Sequence, residues 1–471
     1  MNPKISWRSG LALSVLLVFV ALTACGYKTT TYSFAPTAVA LLRFNADGPP
    51  GTPGTLDTNF GTQGVVTTKV SSSHDDIAFA TVLQADGKII VVGTSFTTPA
   101  RVVVIRYDAN GAPDSTFGSN GITVTSLPSA DTSAFAAILD PDGKLLVAGR
   151  SCPVSGGSSF LLLRYNTAGA PGTAGTLDTG FGTAGTGIVT TPIPSGVSTS
   201  ANAIALSGTK ILVAGQSKIG GKFAIALARY TPGGALDTDP DPTTGFGGGT
   251  GIVTTQIGAG DAVAAALAVQ PLDGKIVVAG LAGNAMSQIW DVALLRYNAN
   301  GSPDTDPVTG FGGGTGIVTT DIGSSSNYAN AVAIQGDGKI VVVGNAFVNS
   351  LAATSDIAVL RYNTDGSLDT TGFGIPNGYV TTNVGAFDNG FAVAVQSDNK
   401  IVVAGNADAG TGDRLALLRY NANGSLDTDP TTGFGGGTGI VTRTASGPSI
   451  IAGAFGVVLQ PGGEIVVVGY D

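Results

Sequence analysis

Few residues of this chain could carry out acid–base or nucleophilic chemistry. It contains 71 Gly and is 43% hydrophobic, yet His74 is its only His and Glu464 its only Glu. Asp75 and Asp76 beside His74 form the only compact acid–base group, and two carboxylates can serve a glycosidase if their separation is right. No paired His/Cys cluster suggests a catalytic triad or a transition-metal site. Catalysis is therefore the less favoured interpretation, although an enzyme is not excluded.

One Asp-rich segment suggests a hard cation instead. Asp237, Asp239 and Asp241 alternate with other residues ahead of Gly245, and alternate carboxylates can wrap calcium. The bidentate Glu of an EF-hand is missing, however, and two prolines stiffen the segment. A turn that uses Asp and Pro for its geometry is the alternative. The sequence predicts no cofactor and leaves calcium open at these three residues.

The amino terminus has the pattern of an export signal. Two basic residues precede the apolar run Leu11–Val20, which is too short for an ordinary membrane span. The small residues before Cys25 resemble the lipobox of bacterial lipoproteins, which implies cleavage before Cys25 and its acylation; an ordinary signal peptide is the alternative. We expect a signal peptide at 1–24, a lipidated cysteine and tether at 25–37, and an outer-membrane lipoprotein of the cell envelope. Cys152 would then have no disulfide partner within the chain.

The charge narrows the choice of partners. The formal net charge is −9, and cleavage of the signal would make it about −11. Since such a domain repels phosphates, we expect no nucleic-acid partner. The charge keeps an exported monomer soluble but indicates no particular ligand.

Two phrases recur along the chain. The first, of the type Asp-Gly-Lys-Ile-Val-Val-Ala-Gly, occurs seven times, at Asp86–Gly93, Asp142–Gly149, Gly208–Gly215, Asp273–Gly280, Asp337–Gly344, Asp398–Gly405 and Gly462–Gly469. The second joins Leu-Arg-Tyr-Asn to a Gly turn, Leu-Asp, Phe-Gly and Gly-Ile-Val-Thr-Thr, with its arginines at Arg43, Arg106, Arg164, Arg229, Arg296, Arg361 and Arg419. A spacing of 56 to 66 residues between successive lysines of the first phrase indicates a propeller, solenoid or array.

Each repeat predicts four antiparallel strands, which we name a to d. Asp-Gly and Asn-Gly turns between β-rich runs are hairpin signals, and no helical periodicity is present. The chain opens with the second phrase and closes with the first, so neither end is a whole unit. We expect residues 38–471 to form one all-β, seven-bladed β-propeller. In it, the N-terminal c and d strands would join the C-terminal a and b strands and close the ring.

These phrases resemble the delta-60 repeats of bacterial exported proteins. The resemblance covers roughly residues 38–471 and implies a β-propeller. It implies no settled activity, so it adds little about function.

The charged residues of the repeats are expected to be architectural. Each Arg is followed by an Asp, at Asp57, Asp114, Asp178, Asp237, Asp304, Asp369 and Asp427. One such pair in each blade predicts an internal ion pair near the c–d turn. A charged ring that recognises a ligand is the alternative. The lysine beside each a–b turn is expected to be solvated.

Function is expected where the repeat is irregular. The a–b and c–d turns are regular and share one face, whereas the variable b–c and d–a loops share the other, which we call the variable-loop face. Variable loops on a rigid scaffold are typical of binding sites. We therefore predict a ligand site near the channel mouth that includes Asp75, Tyr328, Phe387 and Asn389. The leading hypothesis is a non-enzymatic module that binds protein or polysaccharide, and the alternative is a carbohydrate-active hydrolase or lyase.

Overall fold

β-Strands are almost the only regular secondary structure in the described part of the chain. The structure, a computed structural model, describes residues 36–45, 52–170, 172–182, 184–283, 289–323, 325–349, 354–408, 413–443 and 453–471. These residues form 28 strands and one short π-type turn at Gly374–Gly378. No helix within these ranges is long and apolar enough to cross a membrane.

The strands form seven groups of four. The chain begins with β1 (Val39–Phe44) and β2 (Val65–Thr68). Blade 1 is β3 (Asp76–Leu83), β4 (Ile89–Ser95), β5 (Arg101–Tyr107) and β6 (Ile122–Thr125), and blade 2 is β7 (Ala130–Leu139), β8 (Leu145–Pro153), β9 (Ser159–Tyr165) and β10 (Ile188–Thr191). Blade 3 is β11 (Gly196–Ser207), β12 (Lys210–Ile219), β13 (Lys222–Tyr230) and β14 (Ile252–Thr255), and blade 4 is β15 (Ala262–Val269), β16 (Ile276–Gly283), β17 (Trp290–Tyr297) and β18 (Ile317–Thr320). Blade 5 is β19 (Asn327–Ile334), β20 (Ile340–Asn349), β21 (Thr354–Tyr362) and β22 (Tyr379–Thr382), and blade 6 is β23 (Phe387–Val395), β24 (Ile401–Asp408), β25 (Asp413–Tyr420) and β26 (Ile440–Arg443). The chain ends with β27 (Gly453–Leu459) and β28 (Ile465–Tyr470).

The first and last strands together form blade 7. Its sheet has the order β2-β1-β28-β27, and β1 pairs antiparallel with β28, for example Leu42 with Val467. The other six blades are consecutive antiparallel sheets; a single parallel bridge between Ser355 and Phe387 joins blades 5 and 6. Each innermost strand contacts the next, including β27 with β3. The predicted seven-bladed ring and its mode of closure are therefore confirmed.

The core lies between the blades. In β16, Ile276 and Val278 pack towards blade 3, whereas Val277 and Ala279 pack towards blade 5. Because both faces of the strand are covered, the run Ile276–Ala279 is apolar at every position and fully buried. This explains why the second strand of each repeat has an uninterrupted apolar sequence rather than alternation.

An Arg–Asp–Phe unit braces every blade. In blade 4, Arg296 Nε lies 2.6 Å from Asp304 Oδ2, and its guanidinium lies 4.7 Å from the centre of the Phe311 ring. Arg296 Nη1 also donates to the Thr364 carbonyl of blade 5. All seven Arg–Asp pairs are present at 2.6–2.9 Å, so the predicted internal ion pair is confirmed.

The lysine expected to be solvated instead joins this brace. Six lysines lie 2.7–3.3 Å from the Asp of the same blade: Lys88, Lys144, Lys210, Lys275, Lys339 and Lys400. The lysine stem can pack along the turn while its ammonium reaches the carboxylate. In blade 7 Glu464 occupies this position, and Arg43 is the one cation among the described residues that pairs with Asp57.

Candidate ligand site in the central channel

Each innermost strand contains a one-residue β-bulge. In blade 1 Ala78 pairs with Gly93 and Ala80 with Val92, which leaves Phe79 between two register pairs. A bulge re-aims a side chain that a regular strand would direct elsewhere. The seven bulged residues are Phe79, Phe135, Asn202, Ala265, Asn330, Phe391 and Phe455.

A glycine on the second strand permits each bulge. A Cβ atom on Gly93 would lie 2.0 Å from the carbonyl oxygen of Ile77. At the equivalent glycines the same distance is 1.7–1.9 Å, so no larger residue fits there: Gly149, Gly215, Gly280, Gly344, Gly405 and Gly469. This close approach explains the final Gly of the first repeated phrase.

Four consecutive blades contribute phenylalanines to one side of the channel. The ring centres of Phe391 and Phe455 lie 4.9 Å apart, those of Phe455 and Phe79 5.4 Å, and those of Phe79 and Phe135 5.5 Å. Tyr470 stacks behind Phe455 at 5.8 Å. We call the four phenylalanines the aromatic arc; their contacts stabilise it as a unit.

The other three blades contribute smaller and polar side chains. Asn202 Nδ2 donates to the carbonyl of Ala264 in blade 4, at 2.8 Å. Asn330 Nδ2 donates to the carbonyl of Gly390 in blade 6, at 2.9 Å. Ala265 belongs to blade 4, between the blades of Asn202 and Asn330, and its small side chain leaves space in front of the aromatic arc. We call Asn202, Ala265 and Asn330 the amide side of the channel.

The two sides enclose a cavity of about 140 Å³. All seven bulged residues line it, together with Val263, Leu281 and Ala329. Since none of these ten described residues is ionisable, the cavity offers apolar contact and hydrogen bonds but no acid or base. Sequence analysis missed this site. A pattern that marks the bulged residues is nevertheless present in the sequence. In strand a each bulged residue stands between two small residues, as in Ala78-Phe79-Ala80 and Ala329-Asn330-Ala331.

The four residues predicted to bind ligand lie beside the cavity rather than in its lining. By register, Tyr328 and Asn389 precede their bulges by two residues, and Asp75 and Phe387 precede theirs by four. Tyr328 packs near Val263 and Leu281 of the lining, and burial raises its pKa. Asn389 is fully buried, and its Nδ2 donates to Asn406 Oδ1 at 3.1 Å.

Asp75 and Phe387 have positions that indicate a structural contribution. Asp75 Oδ1 accepts hydrogen bonds from Thr37 N at 2.9 Å and Thr37 Oγ1 at 3.1 Å, which fastens blade 7 to blade 1. Phe387 begins β23 and forms the bridge to Ser355. The structure therefore brings Tyr328 and Asn389 closest to the channel.

Two carboxyl groups on the variable-loop face of blade 6 have raised pKa values. Burial raises the pKa of Asp388 to about 6, and the charge of Asp356 adds to the shift, although the N–H groups of Val384 and Gly385 oppose it. Burial, followed by the charge of Asp408, raises the pKa of Asp413 to about 6. Neither lines the cavity.

The Asp-rich segment of blade 3 satisfies its carboxylates internally. Asp237 is buried and pairs with Arg229 at 2.7 Å and Lys210 at 3.0 Å; its use as a calcium ligand stays a prediction. Asp239 accepts from Asp241 N, and Asp241 accepts from Thr243; these hydrogen bonds lower both pKa values. No group of three His, Cys, Asp or Glu suited to a metal occurs within the described residues.

The two cysteines bear on the predicted lipid anchor. Cys152 is buried at the end of β8 and is disulfide-bonded, contrary to the expectation that it has no partner. Cys25 is the only other cysteine of the chain and lies outside the described residues, as does the signal at 1–24. The lipidation of Cys25 therefore stays a prediction.

Comparisons with solved structures give distant matches. Among solved structures, virginiamycin B lyase from Staphylococcus aureus is 10% identical, covering 83% of this chain and 94% of that chain, with a TM-score of 0.44. Sqt1 from Chaetomium thermophilum is 13% identical (84% and 95% covered, TM-score 0.42), and an ulvan lyase of polysaccharide lyase family PL25 is 11% identical (80% and 84%, TM-score 0.43). These likenesses concern the fold alone. No curated protein matches the chain.

The family comparison matches individual repeats. Six segments fit the model described as "Domain of unknown function (DUF5122) beta-propeller": residues 84–117, 141–171, 210–239, 272–306, 335–371 and 396–429. Blade 7, whose halves lie at opposite ends of the chain, is not among them. Between residues 84 and 429, six stretches of the chain are thus similar to the repeats that this model describes.

Proposed function

We propose that the protein is a non-enzymatic binding module of the cell envelope, a monomer that engages protein or polysaccharide through its variable-loop face. The channel cavity carries the proposal, because every blade contributes a side chain to it. The bulges lie near the start of each innermost strand, at the end that faces the variable loops. A rigid ring that holds a shaped cavity beside variable loops is a typical binding scaffold.

The envelope location rests on the export signal at 1–24, and membrane attachment rests on lipidation of Cys25. A disulfide at Cys152 would equally favour export, since disulfides persist in oxidising compartments. A lipidated Cys25 and a disulfide at Cys152 would therefore both be consistent with export.

Binding is tested with the exported chain without its predicted anchor cysteine, residues 26–471, immobilised against purified envelope polysaccharides and solubilised envelope proteins. A control variant has residues 284–289, 350–353 and 409–412, which connect strands on the variable-loop face, replaced by Gly/Ser of equal length. We expect a ligand that the parent retains and the control loses. Equal retention by both, or retention by neither, would contradict the proposal.

One observation favours the alternative, a carbohydrate-active hydrolase or lyase. Asp388 and Asp413 have pKa values of about 6, and a raised carboxyl pKa is a feature of glycosidase acids. The test is turnover of envelope glycans by the parent and by Asp413→Asn, with Asp142→Asn at an exposed turn as the control. Turnover that only Asp413→Asn abolishes would replace the binding proposal with an enzymatic one.

A further inference from the structure

We propose that the channel cavity binds one neutral pyranose ring, the terminal sugar of a neutral glycan, with its apolar face on the aromatic arc. The inference rests on the proposed function and names the ligand class for that site. The volume of the cavity, the difference between its two sides and the uncharged lining all favour this ligand.

The volume restricts the ligand to a single ring. The cavity measures about 140 Å³, and an apolar cavity of about 150 Å³ accepts benzene. One six-membered ring therefore fits, and a second ring would have to extend towards the variable loops.

The two sides of the cavity match the two aspects of a sugar ring. The aromatic arc presents π-faces that can cover the C–H face of a pyranose. Opposite it, Asn330 makes only one hydrogen bond among the described residues, so one N–H and its carbonyl oxygen stay available for hydroxyl groups. The innermost strands add further backbone N–H and C=O groups, since each ends its sheet, although some of these groups are already bonded, such as the carbonyls of Ala264 and Gly390.

The lining favours a neutral sugar over a charged one or an aromatic peptide side chain. None of the ten lining residues is ionisable, so a uronate would be desolvated without a cation to compensate. A phenylalanine side chain would satisfy the aromatic arc but leave the amide of Asn330 and the strand edges unpaired, which disfavours binding.

The test is calorimetry and saturation-transfer NMR on the exported chain. The probes are methyl glycosides of neutral hexoses, methyl glucuronoside as the charged analogue, and N-acetylphenylalaninamide as the aromatic peptide. Ala265→Phe fills the cavity from the amide side, and Asn330→Leu removes its free hydrogen-bonding groups. Leu272→Phe, at an exposed turn of the same blade, is the matched control.

We expect at least one neutral glycoside to bind the parent and Leu272→Phe, and to bind Ala265→Phe and Asn330→Leu at least about tenfold more weakly. If Ala265→Phe melts at a lower temperature than the parent, the binding comparison is made with Ala265→Leu and Asn330→Leu instead. Preference for the glucuronoside or the aromatic amide, or binding that these variants leave unchanged, overturns the inference. A loop-dependent ligand found without any glycoside binding overturns the inference but leaves the proposed function; absence of both overturns the two together.

Discussion

The final glycine of the Asp-Gly-Lys phrase determines a side chain on the neighbouring strand. Gly405 lets the carbonyl of Asn389 approach β24, and this approach accommodates the bulge that turns Phe391 towards the channel. A residue without a side chain therefore decides where an aromatic ring lies. The same relation holds in all seven blades, so one small residue per blade shapes the cavity.

Gly405→Ala should destabilise the propeller. The added Cβ would lie 1.8 Å from the carbonyl oxygen of Asn389, so either the bulge or the pairing of β23 with β24 must change. We expect a loss of roughly 2–4 kcal/mol in the free energy of unfolding, measured by urea denaturation. Gly336→Ala is the control, since its Cβ would meet nothing within 4 Å. Equal stability of the two variants would contradict the packing described here.

The buried carboxyl groups of blade 6 should make the fold more stable at mildly acidic pH. Asp388 and Asp413 have pKa values of about 6 in the folded state, above the value of about 3.9 expected when unfolded. The folded state then binds more protons between these values, so stability falls as the pH rises from about 4 through 6. The groups facing them are Asp356, Asp408 and Arg414.

Because solvent screens both groups in part, we expect the double variant Asp388→Asn/Asp413→Asn to gain only roughly 1–3 kcal/mol at pH 7.5 and to lose most of this pH dependence. Melting temperatures between pH 4.5 and 7.5 measure the effect, and Asp142→Asn provides the control. A parent whose stability rises steadily over this range would show that other groups dominate.

The sequence predicted contacts between individual residues correctly where the charges of the side chains were enough to indicate them. The Arg–Asp pairs were predictable because opposite charges recur together in every repeat. The channel residues were not, because a bulge breaks the period-two alternation from which strand faces are inferred. The contacts of Asp237 were not predictable either, because the sequence does not show that Arg229 and Lys210 converge on it.

At the scale of the element, a blade combines a hydrophobic interface with one charged brace. The guanidinium of each Arg lies over a phenylalanine, bonds an aspartate and, in blades 1 to 5 and 7, also donates to a carbonyl of the next blade. The brace thus couples neighbouring sheets at the face that carries the a–b and c–d turns. The Arg, Asp and Phe of the brace were recognisable in the sequence because the second phrase repeats them in every blade.

Blade 7 lacks one member of the brace, which can be restored. Glu464→Lys would place an ammonium where six other blades direct a lysine at the aspartate, here Asp57. Because these lysines are partly exposed, we expect a gain of only about 0.5–1 kcal/mol in the free energy of unfolding. Lys275→Glu, the reverse change in blade 4, should destabilise. If both changes act in the same direction, the lysine does not contribute through Asp57 or Asp304.

At the scale of the whole molecule, blade 7 holds the ring together. Asp471 N donates to the Ala38 carbonyl, and Ala38 N donates to Asp471 Oδ1, so the end of β28 leads directly to the start of β1. The phase of the repeats predicted this closure, since each end of the chain supplies half of a blade. The path of the variable loops was not predictable, because no repeat constrains them.

Deleting residues 38–68 should abolish cooperative unfolding. The deletion removes β1 and β2, so β27 and β28 become half a blade with an exposed edge. The matched control moves the same segment behind residue 471 through a short linker, which restores the b–c connection that every other blade has. Calorimetry should show one sharp transition for the moved segment and a broad one for the deletion. A deletion that melts as sharply as the parent would contradict ring closure.

The state of the cysteines can be decided by intact mass. Protein isolated from the membrane fraction should carry diacylglycerol on Cys25 if the predicted anchor is correct, and alkylation should then modify Cys152. A mass two hydrogens short of the reduced chain, without lipid, would instead indicate a disulfide at Cys152 and would refute the anchor.

The contact between β1 and β28 also has a consequence for how the protein matures. Ala38 and Asp471 are 433 positions apart, so β1 finds its partner only after all the intervening blades and β28 have been synthesised. Until then β1 and β2 remain a lone hairpin with an open edge, a state that is marginally stable and prone to aggregate. Contacts so distant in sequence form slowly. Blade 7 is therefore the last blade to be completed, although β1 and β2 are the first strands to be made. We expect these two strands to need a holding chaperone for longer than any other part of the propeller.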